Sequence, residues 1–519
     1  RPSLGIGPPS PPRPEGPFAK HVMMVTRGTR GDVQPFVALA RALANDFNWA
    51  VTICTELRYK SFVKEHAKDL DRGRIRFRIS GGDTQRRLSG RTAKWAVQSD
   101  SATLQHLMLA KSELEFFDSE PALFHWAQAM RPDLLIFGFT MAHVAMTVSE
   151  ALKIPLLGFV LQPTVIPSSQ YPPLHITNRP KRFAHYLMTM SQAITNHFRH
   201  TTLTTIKTIM ESNPLANQVN VMRLRRGLKP IRFFKLGNLV DVLQNNTWMQ
   251  LQDQRVPLVV PVNKYAFGGK PRDWAKTTVF TNYIFLRGDT VPPLEDHFVA
   301  FLEHARSQKA KVVVLAFSSM PIDRNDILRI SVRLVHECDK QVCVIALVGD
   351  KAGEPGPDDK LEAEAFMLQR EGRLLIDKGA PFNRLFPLCD AVVIHGGLGT
   401  TGEALMAGKP VIITGVLLFD QRFWGRRLFD MRVGPNPVHI HKLHKTCVPL
   451  INRALEESSE WARNASIVGE RVLESMLDDP AGAEINAGTV VEMAKSAPVF
   501  VHDDQRAADY RFYHHQRTF

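Results

Sequence analysis

AVVIHGGLGTTGEALM, residues Ala391–Met406, decides the fold: four apolar residues run into a glycine-rich turn, and the turn into a pattern of helical period. A buried strand feeding such a turn and then a helix is a phosphate-binding device. Glycines let the backbone approach an anion, and a helix N-terminus offers unbonded N–H groups and partial positive charge. His395, Gly396, Gly397, Gly399, Thr400 and Thr401 form the candidate diphosphate cradle, the threonines adding hydroxyl donors. His395 alone would read as a core histidine bonded to backbone; the glycines that follow it favour the anion site.

Working outward, Lys311–Phe317, Val342–Val348, Leu374–Ile376 and Val411–Thr414 read as further strands of the same unit, with helices near Ile327–Cys338 and Pro381–Leu388. An earlier series repeats the alternation: strands Val22–Val25, Ala50–Thr55, Ile75–Ile79, Leu134–Phe139 and Pro155–Leu161, with helices near Pro35–Ala44, Arg58–His66 and Ala142–Leu152. Strands alternating with helices predict parallel βαβ units, so the fold class is α/β with two doubly wound domains. A chain of 519 residues is too long for one ordinary core, which agrees. Residues 1–19 form a proline-rich leader, 20–288 the first domain, 289–480 the second, and 481–519 a C-terminal helix and tail. Residues from about 165 to 250 carry longer helical patterns and clustered basic charge, the signature of a helical cap, and Leu286–Pro293 reads as the linker. A chain opening on Arg1 rather than Met is expected to be a processed or excised piece. Open α/β sheets bind ligands at the carboxyl ends of their strands, so two facing sheets predict a transferase reacting two ligands in the cleft.

Composition narrows the environment. Apolar content of 44% and charged content of 22% belong to a globular chain, and the runs Val312–Phe317 and Val411–Phe419 are far too short to span a bilayer. Five cysteines without metal-ligand spacing point to a reducing compartment, so a cytoplasmic location is expected. The net charge of +14 attracts anions, yet no nucleic-acid module is present. The basic run Arg223–Arg232, interleaved with apolar residues and followed by Phe233-Phe234, suits peripheral contact with a membrane surface or, equally, a solvated helix end.

A nucleotide sugar presents a diphosphate, a ribose and a hexose, and the second domain offers a group for each. Ser318 and Ser319 follow a strand and face the cradle; Glu403 suits ribose hydroxyls; Asp420-Gln421 pairs an acceptor with an amide that donates and accepts, as adjacent sugar hydroxyls require. In the first domain, Arg27-Gly28-Thr29-Arg30-Gly31-Asp32 lies where the first strand's ligand would sit, and Asp32 is the candidate general base. The same spacing makes Asp32 an N-cap for the helix starting near Pro35, Asp420 a cap for the helix through Phe423–Leu428, and Glu403 an ordinary solvated carboxylate. His143 reads as a catalytic helper or as an interior histidine.

At these residues the chain resembles the sterol 3-β-glucosyltransferases. The matching stretches are TRGDVQPFVALARAL (29–43), GGD (81–83), KPRDWAKTTVFTNYIFL (270–286), FSSMPI (317–322), LFPLCDAVVIHGGLGTTGEALMAGKP (385–410), DQRFWG (420–425) and RVGPNP (432–437). The resemblance implies the GT-B fold, two facing Rossmann-like domains with a cleft between them, and an inverting transfer of glucose from UDP-glucose to a sterol or similar lipid hydroxyl. It implies Asp32 as base, His395, Gly397, Thr400 and Thr401 on the diphosphate, Asp420 with Gln421 on the hexose, and neither metal nor cofactor. Departures accompany it: Ala316 and Ser318 stand where the family has glycines, Ile394 where it has a histidine, Leu398 where it has alanine, and Gly415 where it has proline. The family's first-domain histidine falls near Thr147, a turn beyond His143. The departures keep a non-catalytic lipid- or nucleotide-binding protein open as a reading, and the variable segment 160–250, which would shape an acceptor pocket, keeps a non-sterol acceptor open.

Overall fold

The computed structural model describes residues 17–84, 114–166, 168, 170, 218–229, 247–287, 292–317, 322–349, 358–415 and 419–502. Two all-parallel sheets organise them. The first has seven strands, β1 (Lys20–Val25), β2 (Trp49–Thr55), β3 (Arg74–Ile79), β4 (Leu134–Phe137), β5 (Leu156–Phe159), β6 (Leu258–Val260) and β7 (Thr278–Phe280), in the order β3-β2-β1-β4-β5-β6-β7. The second has six, β8 (Lys311–Ala316), β9 (Val342–Leu347), β10 (Leu374–Asp377), β11 (Ala391–Ile394), β12 (Val411–Gly415) and β13 (Val438–His439), in the order β10-β9-β8-β11-β12-β13. Helices cover both faces of each sheet, so strands such as VVVL and AVVI are buried on both sides and read as continuous apolar runs. In each sheet the order reverses beside the first strand, at β1/β4 and β8/β11, and such switch points open a crevice for ligand.

Three elements differ from the sequence reading. The first helix runs Arg30–Phe47 and not from Pro35, which lies inside it. Proline is tolerated there because the carbonyl whose helical donor it removes belongs to exposed Gly31, near the helix start. The short strands β6 and β7 lie beyond the expected cap and carry too few residues to show alternation. Of the cap, only the helices Gln218–Arg225 and Thr247–Asp253 with their flanks fall among the described residues.

The chain end ties the domains together. Helix Ala483–Ala494 buries Ala487, Val490 and Ala494 in the same cluster as Val33, Phe36 and Val37 of the first helix. Beyond it, the Phe500 amide donates to Ser149 Oγ at 3.0 Å. On the facing side, Phe267 meets Phe423 at 5.1 Å between ring centroids, and Arg427 donates to the Ala266 carbonyl at 3.2 Å. The basic run is drawn inward in the same way. Arg223 donates to both oxygens of Glu150, at 2.5 and 3.1 Å, and Arg226 to both oxygens of Glu120, at 2.5 and 3.1 Å. These two arginines anchor the segment 218–229 to the first domain and are not available to a membrane surface. Among the described residues no helix is long and apolar enough to cross a membrane.

Removing one partner of a buried ion pair strands the other charge. Arg223→Ala is expected to destabilise the first domain by about 3–5 kcal/mol, read as a lowered urea midpoint with an unchanged slope.

Candidate functional site

The first wall of the site is built at the end of β1. Arg27 turns inward: fully buried, it donates through Nε to Glu56 at 3.0 Å and through Nη1 to Ser119 Oγ at 3.1 Å, with its guanidinium 4.9 Å from the Phe116 ring. Glu56 also accepts from the Thr84 amide at 3.1 Å and pairs with Arg58 at 3.1 Å. Gly82 packs against this guanidinium so closely that a Cβ would lie 1.9 Å from Arg27 Nη2. Arg27 is thus an internal strut of the loop. Arg30 faces outward over Phe62, its Nε donating to Gln34 at 3.1 Å, and Gly31 is exposed.

Asp32 is the third residue of the first helix and not its N-cap. Its Oδ2 accepts from the Thr29 amide at 2.6 Å and the Thr29 hydroxyl at 3.0 Å, leaving Oδ1 without a partner among the described residues. Gly28, at φ +148, lets the loop fold over this carboxylate, for a Cβ there would sit 2.2 Å from Oδ2. Tyr59 holds the Gly28 carbonyl from behind at 3.1 Å, and Arg58 donates to it as well. Burial pushes the Asp32 carboxyl up to about 6; the Thr29 hydrogen bonds pull it down, and the negative charges of Asp420 and Glu56 push it up further. Asp420 belongs to the other domain, so its field at Asp32 brings the two carboxylates near one another across the domain boundary.

The second wall is the end of β11. Gly396 takes φ +85, and helix Leu398–Met406 starts after Gly397. The Thr401 amide bonds back to the Gly397 carbonyl at 2.9 Å, so the amides of Leu398, Gly399 and Thr400 are the helix's unbonded first-turn donors. Gly399 is open, with nothing within 4 Å of where a Cβ would be. His395 lies against Gly397, where a Cβ would come within 2.4 Å of Nε2. Burial holds its imidazole down at about 4, while the Ala316 backbone favours the charged form, so the ring is neutral at pH 7. Thr401 is fully buried, and its hydroxyl is without a hydrogen-bond partner among the described residues. Ser318 and Ser319 lie outside the described residues.

Asp420 lies in the first turn of helix Phe419–Asp430, beside buried Gln421. Burial pushes its carboxyl up to about 6 against bonds from the Gln421 and Asp420 backbone. Gln421 closes on the cradle: a Cβ on Gly396 would lie 3.2 Å from Gln421 Cα. Glu403 is not a free, solvated carboxylate. Arg287 Nη2 contacts both its oxygens, at 2.9 and 3.1 Å, a partner that no local pattern announces. His143 belongs to the interior: it bonds Thr247 Oγ1 at 2.9 Å and meets Phe117 edge-on at 5.4 Å, and burial holds its ring down at about 4. Ile394 is core, its side chain wholly buried in β11.

The structure therefore gathers Gln421, His395 and the glycine turn, sets Asp420 within electrostatic reach of Asp32, and keeps Arg27 and His143 in the interior. Among the described residues no three His, Cys, Asp or Glu side chains gather as a metal set. The Asp69-Leu70-Asp71 triplet lies on the turn entering β3, at the sheet edge opposite the site, with both aspartates exposed.

Residues 22–162 match the glycosyltransferase family 28 N-terminal domain. The chain is 26% identical over 470 residues to the sterol 3-beta-glucosyltransferase of Aspergillus oryzae, covering 89% of this chain and 29% of that protein. It is 28% identical over 439 residues to the sterol 3-beta-glucosyltransferase of Arabidopsis thaliana, covering 81% of this chain and 60% of that one. It thus spans under a third of the fungal relative's length. Among solved structures, the calicheamicin glycosyltransferase CalG4 superposes with a TM-score of 0.55 at 14% identity, covering 92% of this chain and 99% of that one. The glycosyltransferase VinC in complex with DTDP gives 0.55 at 16% identity, covering 92% and 100%. The two facing parallel sheets are accordingly the GT-B fold of glycosyltransferases, and the chain is related over most of its length to the sterol 3-beta-glucosyltransferases.

Proposed function

We propose that the protein is an inverting glycosyltransferase that moves glucose from UDP-glucose to the 3-hydroxyl of a sterol or similar lipid. The observation that carries this reading is a carboxylate with one unengaged oxygen, Asp32, facing across the cleft a helix N-terminus with its amides free and a second carboxylate, Asp420. The likeness to the sterol 3-beta-glucosyltransferases supports the choice of donor and acceptor.

In this reading Asp32 Oδ1 takes the proton of the acceptor hydroxyl as the oxygen attacks the anomeric carbon. The bond from that carbon to the phosphate oxygen breaks on the opposite face, and its electron pair leaves with UDP. The charge that grows on the diphosphate is met by the Leu398, Gly399 and Thr400 amides, the helix end and the His395 ring. Asp420 and Gln421 hold the hexose hydroxyls while this happens. A carboxyl raised to about 6 is a better base than an ordinary one and is still mostly ionised at pH 7.

Radiolabelled UDP-glucose incubated with cholesterol or ergosterol is expected to give lipid-extractable label, and Asp32→Ala to lower the rate by about 10²–10⁴. UDP binding with no transfer to any lipid would instead mark a non-catalytic binding protein, and transfer only to other aglycones a different acceptor. The pH profile of kcat/KM should fall on its acid side through about 6, because protonated Asp32 cannot accept the hydroxyl proton. Asp420→Asn removes the facing charge and should move that limb to lower pH, whatever it does to the maximum rate. A chelator such as EDTA is expected to leave the rate unchanged, since the helix end and not a metal meets the leaving group; loss of rate restored by Mg²⁺ would refute that.

A further inference from the structure

Glu403 lies four residues after Gly399 and three after Thr400, on the helix face that begins at the anion cradle. A nucleoside diphosphate seated on the cradle would set its ribose beside that face. The carboxylate is not left to find its own position. Arg287, on the segment leaving β7, spans both Glu403 oxygens with Nη2, at 2.9 and 3.1 Å. Its Nη1 donates to the Pro480 carbonyl at 2.9 Å, and its guanidinium lies 4.5 Å from the Phe285 ring. The guanidinium is thus held from three sides before it meets Glu403. Burial raises the Glu403 carboxyl, and the charge and hydrogen bonds of Arg287 oppose that rise.

The segment carrying Arg287 does not need this pair to stay in place. The Phe285 amide donates to the Ala481 carbonyl at 2.8 Å, and Asn282 donates to the Ser475 carbonyl at 2.9 Å and is held by Asn486, which donates to its carbonyl at 3.1 Å. The pair with Glu403 adds orientation to a backbone already fixed. Each carboxylate oxygen keeps a second lone pair, so a carboxylate gripped by one arginine still accepts from two neighbouring hydroxyls.

We infer that Arg287 is a positioning residue for recognition of the nucleotide ribose, fixing the Glu403 carboxylate so that it accepts from the ribose hydroxyls. The inference rests on the donor-site reading above and extends it to a residue on the linker between the domains. It predicts a preference that only a hydroxyl-binding role would produce. Binding of UDP and of 2′,3′-dideoxy-UDP is measured by calorimetry on the wild type, Arg287→Gln, Glu403→Gln and the double variant. The wild type should prefer UDP by about tenfold or more, and each single variant should lose most of that preference while binding the dideoxy nucleotide as the wild type does. The double variant should be no weaker than the singles, and Arg287→Lys should restore part of the preference. In turnover, Arg287→Gln should raise KM for the donor more than it lowers kcat.

Unchanged preference in Arg287→Gln, or equal weakening toward both nucleotides, would overturn the inference while leaving the donor site intact. Glu403→Gln, close in shape to the native residue, guards against a variant that merely misfolds: if it too keeps the full preference, Arg287 has nothing to position. A wild type that binds neither nucleotide would overturn the donor-site reading and this inference with it.

Discussion

The seat of Tyr283 fixes the spacing of the two walls. This residue of the segment leaving β7 is 1% exposed, and glycines admit it on two sides. A Cβ on Gly482 would lie 1.7 Å from the Tyr283 carbonyl oxygen, and one on Gly402 3.2 Å from its ring. Gly402 belongs to the helix that opens with the anion cradle. Gly482 is the N-cap of helix Ala483–Ala494, which packs on the helix carrying Asp32. One side chain and its carbonyl therefore gauge the distance between base and cradle, through backbone contacts that a single methyl group would spread. Misplacing reacting groups by about 1 Å is enough to cost around a hundredfold in rate, so the chemistry proposed here depends on this contact as well as on the groups inside the cleft.

Within that frame the cleft is unfavourable to charge, and its residues divide according to how they meet that condition. Asp32 and Asp420 are both pushed up to about 6, chiefly by loss of water, and each keeps some acceptor capacity toward the cleft. His395 is held neutral for the same reason. Arg27 and Glu56 are paired instead, and their contact is architecture that shapes the loop presenting Asp32, whereas the Arg287–Glu403 pair leaves each carboxylate oxygen a lone pair for a ligand. Hydroxyl-bearing ligands relieve the unpaired carboxylates in a way that an apolar ligand cannot, because each hydroxyl can donate to a carboxylate oxygen.

The division between what the sequence reveals and what it conceals follows the range of the interactions. Parallel strands buried on both faces, such as Val312–Leu315 and Ala391–Ile394, show as unbroken apolar runs, and the His395–Thr401 turn is encoded by its own glycines. Two doubly wound sheets and the cradle could therefore be read directly. The strands β6 and β7 could not, since three residues carry no period. Arg223 and Arg226 look like a basic surface because their carboxylates lie 73 and 106 residues away, and Glu403 looks solvated because Arg287 is 116 residues from it. His143 finds Thr247 at a separation of 104. Asp32 was ambiguous for a different reason: a carboxylate at the third helical position bonds the residue that opens the helix and still presents an oxygen outward, so local structure and function draw on the same group.

Gly415 shows how a departure from the resembling family can be built into the backbone. It ends β12 at φ +134, in the region open to glycine and closed to proline, whose ring fixes φ near −65°. Space is not what demands glycine there, for a Cβ would meet Ile322 at 3.6 Å and His395 at 3.8 Å, both ordinary contacts. The demand is conformational: a proline could not take this φ at the end of β12.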